Sequence, residues 1–311
     1  MRHVLAPIAL ALLAGTAVAQ PATASFVVQE QGRGYPSLQD AVDSIAGGSG
    51  TILIAPGTYR ECAVQAAGTV AYVAREPGTV VFDGGICEGK AALVLGGRAA
   101  RVEGLTFQNM RVADRNGAGI RIERGDLSVS ETLFRNSEQG ILSASDPSGA
   151  IRIDRSTFSG LGGCEDGHGC SHSIYIGDYG RLIVTRSRFE RGTGGHYVKS
   201  RAPSVEIMDS SFDDTRGRST NYMIDLPNGA TGRIAGNTFV QGQDKENYSA
   251  FIMVAPEGAG NSSDGLSITG NIASIAPGID RRTSFVADKS GDSIQVEGNR
   301  LGPDIKRFDA R

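Results

Sequence analysis

The chain has 311 residues, of which 43 are glycine and none is tryptophan, and its formal net charge is −3 at pH 7. A charge this close to zero, with no block of basic residues, argues against a nucleic-acid partner. Four cysteines are too few to build a fold from disulfides, although they suit an oxidising compartment.

The first 19 residues have the pattern of a secretory signal. Arg2 and His3 precede an apolar run that ends in the A-x-A sequence of residues 17–19. The run is short for a membrane span, and no second apolar run follows it. We therefore predict a signal peptide over residues 1–19, a single domain over residues 20–311, no membrane span, and a periplasmic or secreted location.

Short β-branched segments recur along the chain from residue 101 onward. Each ends in a phenylalanine, with a valine or isoleucine five residues earlier, and the steps run from 23 to 34 residues. The phenylalanines are Phe107, Phe134, Phe158, Phe189, Phe212 and Phe239. One strand-and-turn unit per period of this length predicts a solenoid with two strand segments in each coil. Alternating apolar residues place one side of each strand in the interior.

Small polar residues form a second column, two positions before the phenylalanine column. They are Ser156, Ser187, Ser210, Asn237, Asn271 and Asn299. Stacked at one turn, such side chains can hydrogen-bond from coil to coil. The two columns together predict an all-β protein whose architecture is a parallel β-helix.

At this point the chain resembles the pectate-lyase-like superfamily of right-handed parallel β-helix proteins. Besides the repeat, "YPSLQDAVDSI" (35–45) followed by "TILIAPGTYRE" (51–61) is similar to the start of that fold. The resemblance implies a right-handed solenoid with a short N-terminal capping helix. It does not select a function, because this fold hosts lyases, hydrolases, esterases, epimerases and inert spikes. The motifs of individual enzyme families are mostly missing, so no family of enzymes is assigned.

The cysteines fall into two pairs. Cys164 and Cys170 bracket one short glycine-rich loop and are predicted to form a disulfide, which leaves Cys62 and Cys87 for each other. The alternative is a zinc site that adds the neighbouring histidines, but Cys-x5-Cys with interleaved histidines is poor zinc spacing. We expect the loop over 162–172 to stand beside the functional face, because insertions in solenoids collect there.

The segment "GGHYVKSRAP" (194–203) concentrates polar side chains of four chemical types. They are His196, Tyr197, Lys199 and Arg201. Alignment of the coils places Tyr175, Lys199 and Asp225 at one outward position of adjacent strands, about 4.8 Å apart per coil. His172 occupies the place that matches His196 one coil earlier. The segment is therefore predicted to be one rung of a polar stripe on the surface.

This composition suits the removal of a proton beside the carboxylate of a uronic-acid sugar. Lys199 or a histidine would take the proton, and Tyr175 would protonate the leaving oxygen. A cation, either Arg201 or a metal ion such as Ca2+, would neutralise the carboxylate. Epimerases of the same fold class use a similar set of residues. The predicted catalytic residues are Lys199, Tyr175, His196, His172 and Asp225. The predicted substrate-binding residues are Arg201, Arg121, Glu123 and Tyr197.

The leading prediction is a monomeric carbohydrate-active protein that acts on an acidic polysaccharide by β-elimination or epimerisation, with no cofactor apart from the Ca2+ alternative. One rival is a glycoside hydrolase on the same fold. Asp225 and Glu123 lie two coils or more apart, too far for a carboxylate pair, which leaves Glu165 and Asp166 as contributors. The other rival is a non-catalytic glycan-binding or envelope scaffold protein, in which the charged stripe forms surface ion pairs only.

Overall fold

The computed structural model describes residues 24–164 and 169–311. Across these ranges the chain winds into a solenoid whose successive coils pair in parallel, and three sheets run along its length. The all-β parallel β-helix predicted from the repeat is confirmed, as is the right-handed form that the resemblance implied. The signal peptide predicted over residues 1–19 lies outside the described residues.

The three sheets are named A, B and C in the order in which each coil passes through them. Sheet A consists of Phe26–Val28, Arg33–Tyr35, Ser49–Ile54, Thr69–Ala74, Ala99–Glu103, Asp126–Ser130, Asp146–Asp154, Tyr179–Thr185, Ser204–Met208, Thr231–Ala235, Ser267–Thr269 and Gln295–Glu297. Sheet B consists of Gly57–Tyr59, Val80–Asp83, Leu105–Gln108, Leu133–Arg135, Thr157–Ser159, Arg188–Glu190, Ser211–Asp213, Thr238–Gln241, Ile272–Ile275 and Arg300–Leu301. Sheet C consists of Ala63–Gln65, Ala91–Leu95, Ala118–Ile122, Gln139–Ser143, Ile174–Ile176, Val198–Ser200, Ile224–Leu226, Ala250–Val254, Thr283–Asp288 and Ile305–Ala310.

The N-terminal end of the solenoid is closed by the helix Leu38–Ile45, as the resemblance implied. Ser37 caps this helix, because its side chain accepts a hydrogen bond from the backbone N–H of Asp40 at 3.1 Å. The helix buries its apolar face against the first coils. A 3-10 turn, Gln29–Gln31, precedes it. In the described part of the chain, no helix is long and apolar enough to cross a membrane.

The predicted phenylalanine column is confirmed and lies on the inner side of sheet B. All six side chains are fully buried. From Phe134 to Phe239 each ring stacks on the next with centroids 4.8 Å apart. This spacing equals the distance between adjacent strands, so the rings follow the strand ladder directly.

Each repeat unit contains a corner that the sequence interpretation missed. Residues 101–107 do not form one strand, because the chain leaves sheet A at Glu103 and enters sheet B at Leu105. Gly104 turns this corner with φ of +72°, in the left-handed region. A coil therefore carries three strands rather than the predicted two.

The serine and asparagine column lies immediately after this corner and forms the predicted ladder. The backbone N–H of Ser187 donates to Ser210 Oγ at 3.0 Å. The N–H of Ser210 in turn donates to Asn237 Oδ1 at 2.9 Å. Because these groups are buried, the ladder satisfies backbone donors that the bent strands leave unpaired.

Candidate functional site

A single outward column of sheet C brings the predicted residues together. Its members, paired from coil to coil, are Arg121, Leu142, Tyr175, Lys199, Asp225 and Met253. The residues before them in the strands, such as Val198 and Ile224, are fully buried in the interior. Alternation along a strand therefore turns Lys199 and Asp225 outward.

Asp225 is the most enclosed acid of this face, with only 2% of its surface exposed. Its Oδ2 atom lies 3.4 Å from Lys199 Nζ and 3.4 Å from His196 Nε2. Burial raises the pKa of Asp225 to about 6, although the nearby Lys199 ammonium opposes this shift. Oδ1 has no hydrogen-bond partner among the described residues. Asp225 can therefore exchange a proton close to neutral pH.

His172 and His196 stack at the start of their strands, as the alignment predicted. Their ring centroids are 4.9 Å apart, and Tyr222 continues the stack at 5.6 Å from His196. The backbone N–H of His196 donates to His172 Nδ1 at 3.0 Å, so the neutral His172 ring carries its proton on Nε2. Burial lowers the pKa of His172 to about 3, and it lowers the pKa of His196 well below the usual value. Both imidazoles are neutral at pH 7.

Arg201 and Lys199 meet at a carboxylate that the sequence interpretation did not include. Glu257 accepts from Lys199 Nζ at 2.7 Å through one oxygen and from Arg201 at 2.6 Å through the other. Arg201 also donates to the phenol oxygen of Tyr175 at 3.1 Å and to Asn228. Partial burial opposes ionisation of Glu257, but its two cationic partners hold the pKa below the usual value.

A groove of about 580 Å³ continues from this cluster along the same face. Arg201 and Tyr175 line one end of it, and Lys90 and Arg121 line the other. Glu123 pairs with Lys90 at 2.9 Å and with Arg121 at 3.2 Å. Arg121 and Glu123 are thus placed on the predicted face, but at a distance from Asp225 of several coils.

Tyr197 does not lie on this face, and its predicted surface position is wrong. The side chain is 1% exposed and points into the interior, where its hydroxyl donates to Asp214 at 2.7 Å. Asp214 also pairs with the buried Lys245 at 3.1 Å and accepts from Thr220. Tyr197 directly precedes the strand Val198–Ser200, and the matching residues Met223 and Phe251 on the next two coils are buried as well, so the alternation within the strand does not extend back to this position. Tyr197 therefore holds the coil in shape and does not contact a ligand in the groove.

Both predicted disulfides, Cys62–Cys87 and Cys164–Cys170, are present. The zinc alternative is wrong, because a sulfur bonded to another sulfur is not a thiolate ligand. Cys164 Sγ accepts from the backbone N–H of Gly195 at 3.2 Å, directly before His196. The described ends of the loop therefore lie beside the site, as expected. Glu165, Asp166 and His168 lie outside the described residues.

The donor set of the cluster does not suit Ca2+. This ion takes six to eight oxygen ligands, many of them carboxylates or carbonyls. The two carboxylates of the cluster, Asp225 and Glu257, each contact cationic or imidazole nitrogens instead. The cluster therefore presents cationic and imidazole nitrogens to these carboxylates, and not the set of oxygen ligands that Ca2+ requires.

The chain corresponds in fold to a described protein family. No curated protein sequence matches the chain. Among solved structures, the A-module of mannuronan C-5 epimerase AlgE6 from Azotobacter vinelandii is similar over 88% of this chain and 94% of that chain, at 12% identity and a TM-score of 0.37. The family described as "Right handed beta helix region" matches residues 91–300. The chain therefore belongs to the right-handed β-helix family.

Proposed function

We propose that this protein acts on an acidic, uronic-acid polysaccharide by β-elimination or epimerisation, in the periplasm or outside the cell. One observation carries the proposal. The same outward position on three adjacent coils holds Tyr175, Lys199 and Asp225, and Arg201 donates a hydrogen bond to Tyr175. The two disulfides support the location, since disulfides persist in oxidising compartments.

The proposed reaction begins at C5 of the sugar, beside its carboxylate. Arg201 binds the carboxylate and so stabilises the negative charge that develops when the C5–H bond breaks. Lys199, or the neutral His196, accepts the proton as general base. His172 is not available for this role, because its Nδ1 lone pair already accepts from the N–H of His196. In β-elimination the electron pair forms a C4=C5 double bond, the bond from C4 to the glycosidic oxygen breaks, and Tyr175 protonates that oxygen. In epimerisation a proton returns to C5 from the opposite face.

A second function, glycoside hydrolysis, is favoured by a different observation. Asp225 Oδ2 and Glu257 Oε1 contact the same Lys199 ammonium, at 3.4 and 2.7 Å, so these oxygens lie within about 6 Å of each other. Their environments move their pKa values in opposite directions, upward for Asp225 and downward for Glu257. A pair of this kind can divide the roles of general acid and nucleophile or base.

Product analysis separates these functions. The protein is incubated with alginate, pectate and glycosaminoglycans, and the ultraviolet absorbance of the unsaturated product is followed together with NMR of the C5 configuration. We expect unsaturation or inversion at C5 with at least one of these polymers. New reducing ends without unsaturation would instead support the hydrolase. Binding without any product would support a glycan-binding scaffold and overturn the proposed reaction.

Two variants of Lys199 then test its role on the polymer that reacts. If Lys199 is the base, neither Lys199→Arg nor Lys199→Ala retains activity, because arginine keeps the charge but cannot lose its proton at a useful pH. Activity retained in Lys199→Arg would show that the residue only binds a carboxylate. Full activity in Lys199→Ala would remove Lys199 from the site altogether.

A further inference from the structure

The clearest additional feature of the face is that one carboxylate, that of Glu257, already contacts two cationic side chains, Lys199 and Arg201. Glu257 places its two oxygens separately on Lys199 and Arg201, at 2.7 and 2.6 Å. This two-point contact is the geometry in which a sugar carboxylate would be recognised. The same two cations lie 5.7 and 5.9 Å from the centre of the Tyr175 ring.

We propose that Glu257 is an internal stand-in for the substrate carboxylate, so that Lys199 and Arg201 form a carboxylate subsite which a uronate residue enters by displacing Glu257. This inference rests on the proposed function for the identity of the ligand, in the form in which Lys199 stays an ammonium and the neutral His196 is the base. It adds two things to that function: the pair of cations that would bind the sugar carboxylate, and the Glu257 carboxylate that competes with the substrate for them.

The position of Glu257 in the fold allows this displacement. Its side chain is 44% exposed, whereas that of Asp225 beneath it is 3% exposed. Its backbone is held separately, since the N–H of Glu257 donates to the carbonyl of Pro227 at 3.0 Å. The side chain can therefore rotate into solvent about its own bonds without moving the coil. Asn261 anchors the rest of this loop to the carbonyl of Arg201 at 3.1 Å.

Displacement would leave the cationic pair open and the rest of the face in place. Arg201 would still be oriented by Tyr175 and Asn228, which do not depend on Glu257. Lys199 would still contact Asp225 at 3.4 Å. An incoming carboxylate would thus meet two cations already fixed in position, and its sugar ring would lie over Tyr175 at the mouth of the groove lined by Arg121. A neutral sugar has no group that could replace Glu257 there.

The test measures binding without turnover. Glu257→Gln keeps the size of the side chain and removes its charge, so uronate oligomers no longer compete with an internal anion. Titration of the full-length protein with trigalacturonate and with trimannuronate, followed by NMR or calorimetry, is expected to show about tenfold tighter binding of at least one trimer, which corresponds to about 1.4 kcal/mol. Maltotriose, which is neutral, should bind wild type and variant equally.

Glu206→Gln is the matched control. Glu206 is also paired with an arginine, Arg181 at 2.6 Å, but it lies on sheet A, away from the groove. Removing its charge changes the net charge equally and should leave uronate affinity unchanged. Equal affinity of Glu257→Gln and wild type, an equal gain in Glu206→Gln, or a parallel gain for maltotriose would each overturn the inference.

The two proposals fail separately in this design. Tighter binding of uronate trimers by Glu257→Gln supports the carboxylate subsite even if no polymer is cleaved and no C5 configuration is inverted. Conversely, unsaturated products can be detected although Glu257→Gln leaves binding unchanged. Loss of reducing-end formation in Glu257→Gln, with no gain in binding, would overturn the stand-in and assign Glu257 to hydrolysis as a catalytic carboxylate.

Discussion

At the scale of single residues, the outer face of sheet C contains two buried titratable groups whose pKa values shift in opposite directions. Burial disfavours the charged form of each, so it lowers the pKa of His172 to about 3 and raises the pKa of Asp225 to about 6. The contribution of His172 to stability is therefore present above pH 6.5 and is lost as the pH falls toward 3. The contribution of Asp225 has the opposite sign, because it is present below about pH 3.8 and is lost as the pH rises through 6.

Substitution of these two residues should have opposite effects on how far the free energy of unfolding falls between pH 7 and pH 4. In His172→Asn the amide oxygen can still accept from the N–H of His196, but the titrating group is gone, so the free energy of unfolding should fall less between pH 7 and pH 4 than in wild type. In Asp225→Asn it should fall more steeply. Urea unfolding at pH 7, 5.5 and 4 provides the measurement. Parallel pH profiles for all three proteins would contradict this account.

The sequence was sufficient to bring Tyr175, Lys199 and Asp225 together, because all three lie inside strands where alternation and coil register hold. It was not sufficient for Glu257, which lies beyond the end of its strand, after Ala255 in a left-handed conformation with φ of +52°. Loops have no period, so their side chains cannot be aligned from coil to coil. The surface position predicted for Tyr197 was wrong for a related reason, since Tyr197 lies just before its strand begins, where the alternation does not hold.

At the scale of elements, the phenylalanine column forms a continuous apolar contact between neighbouring coils on sheet B. Phe189 stacks at 4.8 Å on both Phe158 and Phe212 and is fully buried. Phe189→Ala should lower the free energy of unfolding by about 3–5 kcal/mol, because it removes buried area and leaves a cavity between two rings. Denaturant unfolding measures this difference.

The control for Phe189 is Ser211→Ala on the outer side of the same sheet. Ser211 pairs with Arg188 one coil away and is partly exposed, so its loss should change stability by less than about 0.5 kcal/mol. A comparable cost for both variants would show that the column does not hold the coils together.

The column itself was evident from the spacing of phenylalanines. The corner at Gly104 was not, because one left-handed residue leaves the apolar alternation almost undisturbed on both sides.

At the scale of the whole molecule, the Cys62–Cys87 disulfide joins the first coils, close to the helix that closes the solenoid. It spans 25 residues, so opening it should release the unfolded chain and lower the free energy of unfolding by about 3 kcal/mol. The double variant Cys62→Ser, Cys87→Ser tests this by denaturant unfolding. Cys164→Ser with Cys170→Ser, which opens a span of only 6 residues, should cost less. The opposite order of costs would contradict the prediction.

The general architecture of the molecule was predictable because a solenoid repeats one structural unit many times. Each period offers the same columns, so an error at one coil is corrected by its neighbours in the alignment. The single domain over residues 20–311, the monomeric state and the signal peptide stay predictions, since they depend on segments and partners that the repeat does not describe. The pairing of the cysteines was accessible because only one pair brackets a short loop.

The serine steps of the ladder have a direction along the solenoid. At every step described above, the donor belongs to the earlier coil and the acceptor to the later one. At the serine step, removing the later coil orphans the buried N–H of Ser187, which costs about 1–3 kcal/mol, whereas removing the earlier coil leaves only a spare lone pair on Ser210 Oγ. The asparagine step differs, because Asn237 Nδ2 also donates back to the carbonyl of Ile207 in the earlier coil at 2.8 Å. Separating two coils at a serine step therefore costs less when the N-terminal coil is the one that leaves. Synthesis also proceeds from N to C, so the corner N–H of such a coil stays without its partner until the following coil has been made and has docked.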